Sequence, residues 1–89
     1  MKILKNNGLV EEFDATKVKT SIENSTNDIG LPLTEADLNM LLQEITKKLY
    51  KSNYTNHIPS SNELRRIIYH VLIDCGFPKT AQSYMDVDI

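Results

Sequence analysis

Residues 2–18 read KILKNNGLVEEFDATKV, and this stretch decides how the chain begins to fold. Two short runs containing apolar residues flank Asn7-Gly8. That dipeptide is the strongest short signal for a β-hairpin, because type I′ turns need a positive φ at both central residues. Asp14 follows at once, and its short carboxylate can accept the free amide hydrogens of a helix start. The stretch therefore predicts a hairpin over about 2–13 that leads directly into a helix.

The rest of the chain has a helical pattern. Its strongest apolar stripe consists of Leu64, Ile67, Ile68, Val71, Leu72 and Cys75, at helical spacing. Ser60 and Glu63 form a Ser-x-x-Glu capping box before that stripe. With helix starts and stops placed in the same way, helices are predicted over about 15–28, 35–51, 61–75 and 78–86. The polar segment between the second and third helices reads as a loop that can carry a very short third strand at His57 and Ile58.

These elements predict the fold class. Two strands are not stable alone in water, and each of the four helices has one apolar face. The hairpin must therefore lie as a cover on the helices. We expect an α+β fold over 1–89, a small four-helix bundle capped by an N-terminal β-hairpin lid. A cleft is expected between the lid and the bundle.

Composition excludes several function classes. Ten Lys and Arg against twelve Asp and Glu give a net charge of −2, so there is no overall positive field to hold a nucleic acid. The sequence contains no apolar run approaching the roughly 20 residues of a membrane span and no secretory signal, so a cytoplasmic protein is expected. The single cysteine excludes an intramolecular disulfide and a CxxC-type zinc site within this chain.

An enzymatic function finds little support in the sequence. His57 and His70 are separated by a loop and most of a helix, and Cys75 continues an apolar stripe, as a buried inert thiol does. The chain contains neither a Ser, His and acid pattern nor a Gly-rich phosphate loop. We therefore expect no catalytic residues and no metal site.

A phosphate-binding site is suggested by the placement of a few polar residues. Lys5 precedes the hairpin turn, Lys17 lies in the first turn of helix one, and Ser60 and Ser61 stand at the start of helix three. Helix starts present unpaired amide hydrogens and a positive dipole end, so two of them under a hairpin lysine suit a triphosphate. On spacing alone, ordinary surface lysines and a capping serine explain the same pattern.

Three stretches of the chain resemble the ATP-cone family of ribonucleotide reductases and related proteins. Residues 5–18, KNNGLVEEFDATKV, resemble the family's opening signature of a lysine, a turn ending in glycine, an acidic residue, a hydrophobic residue, Asp or Asn, and a Lys-aliphatic pair. Residues 60–64, SSNEL, and 81–84, AQSY, resemble its later Ser/Thr-x-x-aliphatic and Ala-x-x-Tyr elements. The three stretches come in the family's order and span nearly the whole chain.

The resemblance implies a ligand and a set of site residues. The ligand is ATP or dATP, with Mg²⁺, bound under the lid. Lys5 and Lys17 would contact the phosphates together with a hydroxyl of Ser60 or Ser61. The remaining residues implied at the site are Asn6, Glu11, Glu12, Phe13 and Asp14, of which the last four border the adenine and the sugar, and Val18 and Ile22, which pack against the base or serve only in the core.

The implied role is an allosteric activity sensor that acts through subunit association, with reductase subunits or a second copy as partners. One alternative is a ligand-free helical module for protein–protein interaction. Another is a degenerate cone that no longer binds nucleotide, since Asn6 stands where many relatives have Arg and no basic residues follow Tyr84. A transcriptional repressor of the same family would need a zinc ribbon, which one cysteine does not allow.

Overall fold

The computed structural model describes residues 1–52 and 58–85, and within them it has two strands and four helices. The bounds are β1 Lys2–Leu4, β2 Val10–Glu12, α1 Ala15–Asp28, α2 Glu35–Ser52, α3 Ser61–Asp74 and α4 Pro78–Tyr84. The two strands pair antiparallel at the start of the chain. The predicted fold class, an α+β domain with a hairpin and helices, is confirmed.

The hairpin turn differs from the predicted two-residue type. Leu4 pairs with Val10, and the amide of Gly8 donates to the carbonyl of Lys5 over 3.0 Å, so the turn includes Asn6 and Asn7 as well as Gly8. Gly8 has a φ of +84°, the left-handed conformation that ends a three-residue hairpin loop. The expected Asn-Gly type I′ turn is therefore wrong, because the extra residue is taken up in the loop and shifts the strand register by one.

The starts of α1 and α2 are fixed by side chains, as the sequence predicts. Asp14 Oδ1 accepts hydrogen bonds from the amides of Thr16 and Lys17 at 2.9 and 3.4 Å. At the start of α2, Thr34 and Asp37 each accept the other's amide hydrogen through their side chains, a reciprocal capping box. These caps replace the partners that the first turn of a helix lacks, and so they set where each helix begins.

The core is formed by the apolar stripes of the helices. Its buried members are Ile3, Val18, Ile22, Leu38, Leu41, Ile45, Leu49, Leu64, Ile68, Val71, Leu72, Ala81 and Tyr84. All but Ile3 come from helices, with each of the four contributing at least one. Within the described residues, no helix is long and apolar enough to cross a lipid bilayer.

The lid, residues 2–12, is attached to the bundle through β1 and the start of α3. Ile3 is its one buried residue and has 4 % of its surface exposed, whereas β2 is exposed throughout. The amide of Leu4 donates to the carbonyl of Pro59 over 2.9 Å, and Leu4 forms an isolated parallel bridge with Ser60. Of the third strand predicted at His57 and Ile58, His57 lies outside the described residues and Ile58 is not in a strand.

Candidate functional site

A narrow crevice lies between the lid and the bundle, next to the first turns of α1 and α3. Its lining combines charged and apolar side chains: Ile3, Lys5, Glu11, Glu12, Phe13, Asp14, Lys17, Val18 and Leu64. The crevice volume is about 40 Å³. Pockets that hold small molecules typically measure roughly 300–1,000 Å³, so this crevice is smaller than such a pocket in this conformation.

Two of the lining side chains are lysines. Lys5 follows β1 at the start of the hairpin turn, and Lys17 lies in the first turn of α1. Within residues 1–52 and 58–85, neither ammonium group lies within ion-pair distance of a carboxylate, whereas Lys2 and Lys19 each pair with a glutamate. The crevice therefore presents two cations whose charge a bound anion can neutralise.

The carboxylates around the crevice fall into two groups. Glu12 pairs with Lys2 and with the N-terminal amine, and the hydrogen bond from Lys2 holds the pKa of this carboxyl below its ordinary value. Asp14 is occupied as the cap of α1. Glu11 lies opposite Ile3 in the sheet register, on the exposed edge strand, and it lines the crevice. Glu11 is therefore the carboxylate best placed to accept hydrogen bonds from a ligand.

The apolar part of the lining is a small floor. Val18 has 1 % and Leu64 has 3 % of its surface exposed, and Phe13 is half-buried beside them. An aromatic ring flanked by aliphatic side chains is a surface on which a planar heterocycle packs well. The floor thus supplies apolar contact next to the two ammonium groups.

The residues expected at the site divide into two sets. Seven of them line the crevice: Lys5, Glu11, Glu12, Phe13, Asp14, Lys17 and Val18. Four do not line it: Asn6, Ile22, Ser60 and Ser61. Ile22 is fully buried in the core of α1. The other three are engaged in polar contacts at the edge of the lid.

Both serines at the start of α3 already have hydrogen-bond partners. Ser60 Oγ accepts from the amide of Glu63 at 3.1 Å and so caps the helix. Ser61 is buried, and its Oγ donates to Asn6 Oδ1 over 3.0 Å, which ties the hairpin turn to α3. Asp14 and Ser60 also satisfy amides at the two helix starts, and the two lysine ammonium groups are the cationic donors of the crevice lining.

Two lining residues were not anticipated from the sequence. Ile3 lies two positions before Lys5 in the extended start of the chain, and side chains at i and i+2 of an extended chain share a face. This alternation is the one sequence feature from which Ile3 could have been predicted at the crevice. Leu64 belongs to the apolar stripe of α3 and lies one turn after Ser61, which places it at the lid end of the core. A stripe does not reveal which of its members meets a cleft.

A larger apolar groove lies at the opposite end of α1 and α3. It is formed by the segments 31–33 and 76–80, which include Leu31, Leu33 and Phe77, and its volume is about 410 Å³. Among the described residues, no group of three His, Cys, Asp or Glu side chains can hold a metal ion. The charged crevice under the lid and this apolar groove thus lie at opposite ends of α1 and α3.

Comparison with known proteins identifies the family. A family model described as the ATP cone domain matches residues 1–88, nearly the entire chain. No curated protein matches the chain. Because the match covers nearly the entire chain, this chain belongs to the ATP-cone family of nucleotide-binding regulatory domains.

Proposed function

We propose that this domain binds ATP or dATP in the crevice between the lid and the bundle, and that it works as an allosteric activity sensor like those of ribonucleotide reductases. The observation that carries the proposal is the pair of Lys5 and Lys17, two crevice cations without a carboxylate partner among the described residues, beside the apolar floor. A nucleotide has the same composition, a polyanion joined to a planar ring.

The energetics favour the phosphates as the main contact of the lysines. A charge-assisted hydrogen bond contributes roughly 1.5–3 kcal/mol, more than a neutral one. The adenine packs against Phe13 and Val18, and Glu11 accepts a hydrogen bond from the ligand. Ser61 takes part only if the ligand replaces the hydrogen bond that it donates to Asn6. Ser60 Oγ accepts from the amide of Glu63, and a hydroxyl that accepts can still donate its own hydrogen, so Ser60 can donate to a phosphate and keep its cap. Asn6 accepts through Oδ1 and has its side-chain NH₂ group to donate.

The small volume of the crevice gives binding a structural consequence. A space of about 40 Å³ does not admit a nucleotide, and we propose that the lid moves away from the bundle when the ligand enters. A ligand shifts a conformational equilibrium only by its difference in affinity for the two states, and here the two states are lid positions. Lid position is thus the variable through which bound nucleotide alters the contacts of the domain with reductase subunits or with a second copy.

The domain is expected to bind ATP without hydrolysing it. The described residues contain no metal-binding carboxylate cluster, so Mg²⁺ would arrive with the phosphates and be held mainly by them. The carboxylate of Asp14 is engaged as a helix cap, which leaves it poorly placed to activate water. Incubation of the purified chain with ATP should release no more phosphate than a buffer control.

The test is a calorimetric titration of the chain with ATP, dATP and GTP in the presence of Mg²⁺. We expect binding of the two adenine nucleotides and a loss of about tenfold to 150-fold in affinity when either Lys5 or Lys17 is replaced by alanine, which corresponds to the free energy of one charge-assisted hydrogen bond.

Lys47→Ala is the matched control for this titration. Lys47 is an exposed lysine on α2, a helix that contributes nothing to the crevice, and its contact with Glu44 is a long surface pair at 3.9 Å. Equal losses in all three variants would place the phosphate site elsewhere. If the parent chain binds no adenine nucleotide, the proposal fails and the alternative of a degenerate cone that no longer binds nucleotide is favoured.

A second candidate function, a ligand-free interaction module, is supported by the apolar groove around Leu31 and Phe77. Its volume of about 410 Å³ exceeds that of the crevice, and Leu31 has 45 % of its surface exposed. Under this alternative, a charged substitution such as Leu31→Glu disrupts assembly, while the lysine variants leave it unchanged. Nucleotide-dependent assembly that is lost with Lys5 or Lys17 favours the sensor instead.

A further inference from the structure

The last described helix is joined to α1 by a buried phenol. Tyr84, in α4, has 0 % of its surface exposed, and it is the largest fully buried side chain of the domain's described residues. Its hydroxyl lies 2.8 Å from Ser21 Oγ on α1. The two residues are 63 positions apart in sequence, so this contact fixes α4 against α1 rather than arising from local structure.

The direction of the hydrogen bond follows from the second contact of the serine. Ser21 Oγ lies 2.7 Å from the carbonyl oxygen of Val18 and donates its hydrogen there. A hydroxyl has a single hydrogen to donate, so Ser21 must accept at its lone pair, and Tyr84 is the donor. The result is a chain of two hydrogen bonds that runs from Tyr84 through Ser21 to the backbone of Val18.

This hydrogen-bond chain ends at the lining of the crevice. Val18 is part of the apolar floor, and Lys17, the preceding residue, supplies one of the two unpaired ammonium groups. A serine hydroxyl that bonds back to a carbonyl one turn earlier tends to bend the helix. The rotamer of Ser21 therefore affects the direction of the turn that carries both Lys17 and Val18, and the phenol holds that rotamer.

We infer that Tyr84 is a positioning residue for the nucleotide site, which acts through Ser21 to set the first turns of α1 under the lid. The inference rests on the proposed nucleotide binding. Its consequence is reciprocal by thermodynamic linkage. If the packing of α4 against α1 alters the affinity for nucleotide, bound nucleotide alters the equilibrium constant for that packing by the same factor. Tyr84 is thus a physical connection between the crevice and the far end of the chain.

The experiment combines Tyr84→Phe, Ser21→Ala and the double variant. Each single change removes one hydroxyl from the chain of hydrogen bonds and keeps the rest of the side chain. We expect each to weaken ATP binding by a factor of about 2 to 30, the range observed when residues that touch no ligand alter coupling. The double variant should bind ATP no more weakly than the single variant with the lower affinity, because either change breaks the same chain of hydrogen bonds.

Ser83→Ala is the matched control, because Ser83 Oγ makes a second polar contact from α4 to α1, a 3.4 Å hydrogen bond to the carbonyl of Ser25 away from the crevice lining. It should loosen the interface and leave the affinity for ATP unchanged. The backbone amide signals of Lys17 and Val18 should shift in Tyr84→Phe without ligand but not in Ser83→Ala, a response that general loss of stability does not produce.

Three outcomes overturn the inference. They are an unchanged affinity in Tyr84→Phe, an equal loss in Ser83→Ala, and additive losses in the double variant. If the parent chain itself binds no adenine nucleotide, the proposed function fails first and this positioning role fails with it. If the parent binds and loses affinity only in the lysine variants, the proposed function stands and the role of Tyr84 is refuted alone.

Discussion

Replacement of Ile3 by alanine should release the lid while leaving the bundle folded. Ile3 is the one buried side chain of the lid and has 4 % of its surface exposed. The change removes the carbon atoms beyond Cβ at about 0.8 kcal/mol each and leaves a cavity, and buried Ile→Ala changes cost roughly 2–5 kcal/mol. We expect a loss of about 2.5 kcal/mol in the free energy that holds the lid closed, near the lower end of this range because a hairpin can shift to fill part of the cavity. Such a loss raises the lid-open population about 60-fold.

Native-state hydrogen exchange measures this opening residue by residue. The amides of Leu4 and Phe13, bonded to the carbonyls of Pro59 and Met1 at 2.9 and 2.7 Å, should exchange about 60-fold faster in Ile3→Ala. Amides in the middle of α2 should change far less. Val10→Ala is the control, since Val10 lies on the exposed strand with 49 % of its surface accessible. If lid and helix amides accelerate together, the lid is part of the global folding unit and the reasoning is wrong.

Three further predictions concern single residues. Gly8→Ala should cost about 1–2 kcal/mol in lid stability, measured by the same exchange experiment, because Gly8 has a φ of +84° and open space around its Cα, so the cost is conformational. Burial raises the pKa of the Cys75 thiol, so alkylation by iodoacetamide should be slower than for free cysteine and should rise with a midpoint above pH 9.0. Burial also raises the pKa of Tyr84, so as pH rises above 10.0 the phenol ionises in the unfolded chain before it ionises in the folded domain. The free energy of unfolding, measured in urea, should therefore fall as pH rises, and it should fall less steeply in Tyr84→Phe.

Local chemistry made much of the fold predictable from the sequence. Helix caps act within a few residues, so Asp14 and the Ser60 capping box could be recognised without knowledge of the tertiary structure. The apolar stripes of α2 and α3 predicted which faces form the core. The hairpin turn was predicted less well, because Asn7-Gly8 is compatible with both a two-residue and a three-residue loop, and the register that separates them depends on packing against the bundle.

The candidate site was harder to predict, since it depends on how the elements meet. Lys5 and Lys17 were predicted at the site from the resemblance and from their places in the chain; the structure puts both at one crevice, and their contact with phosphates stays a prediction. The hydrogen bond between Asn6 and Ser61 joins positions 55 residues apart, and no local pattern indicates it. Asn6 and Ser61 lie outside the lining because in this conformation they join the lid to α3, whereas the side chain of Ser60 is occupied as the cap of that helix.

The contact between the lid and the start of α3 also constrains the order in which the parts of the domain can form. The crevice takes eight of its lining residues from positions 3–18 and the ninth, Leu64, from the third helix. The lid hydrogen bonds to Pro59 and Ser61 join the same distant segments. During synthesis, the residues at positions 3–18, which include the charged ones, are therefore made before the segment that completes the crevice. Contacts of such long sequence separation close late because chain entropy must be lost first. The crevice is accordingly among the last features of the domain to become complete, after the local helices from which it is built.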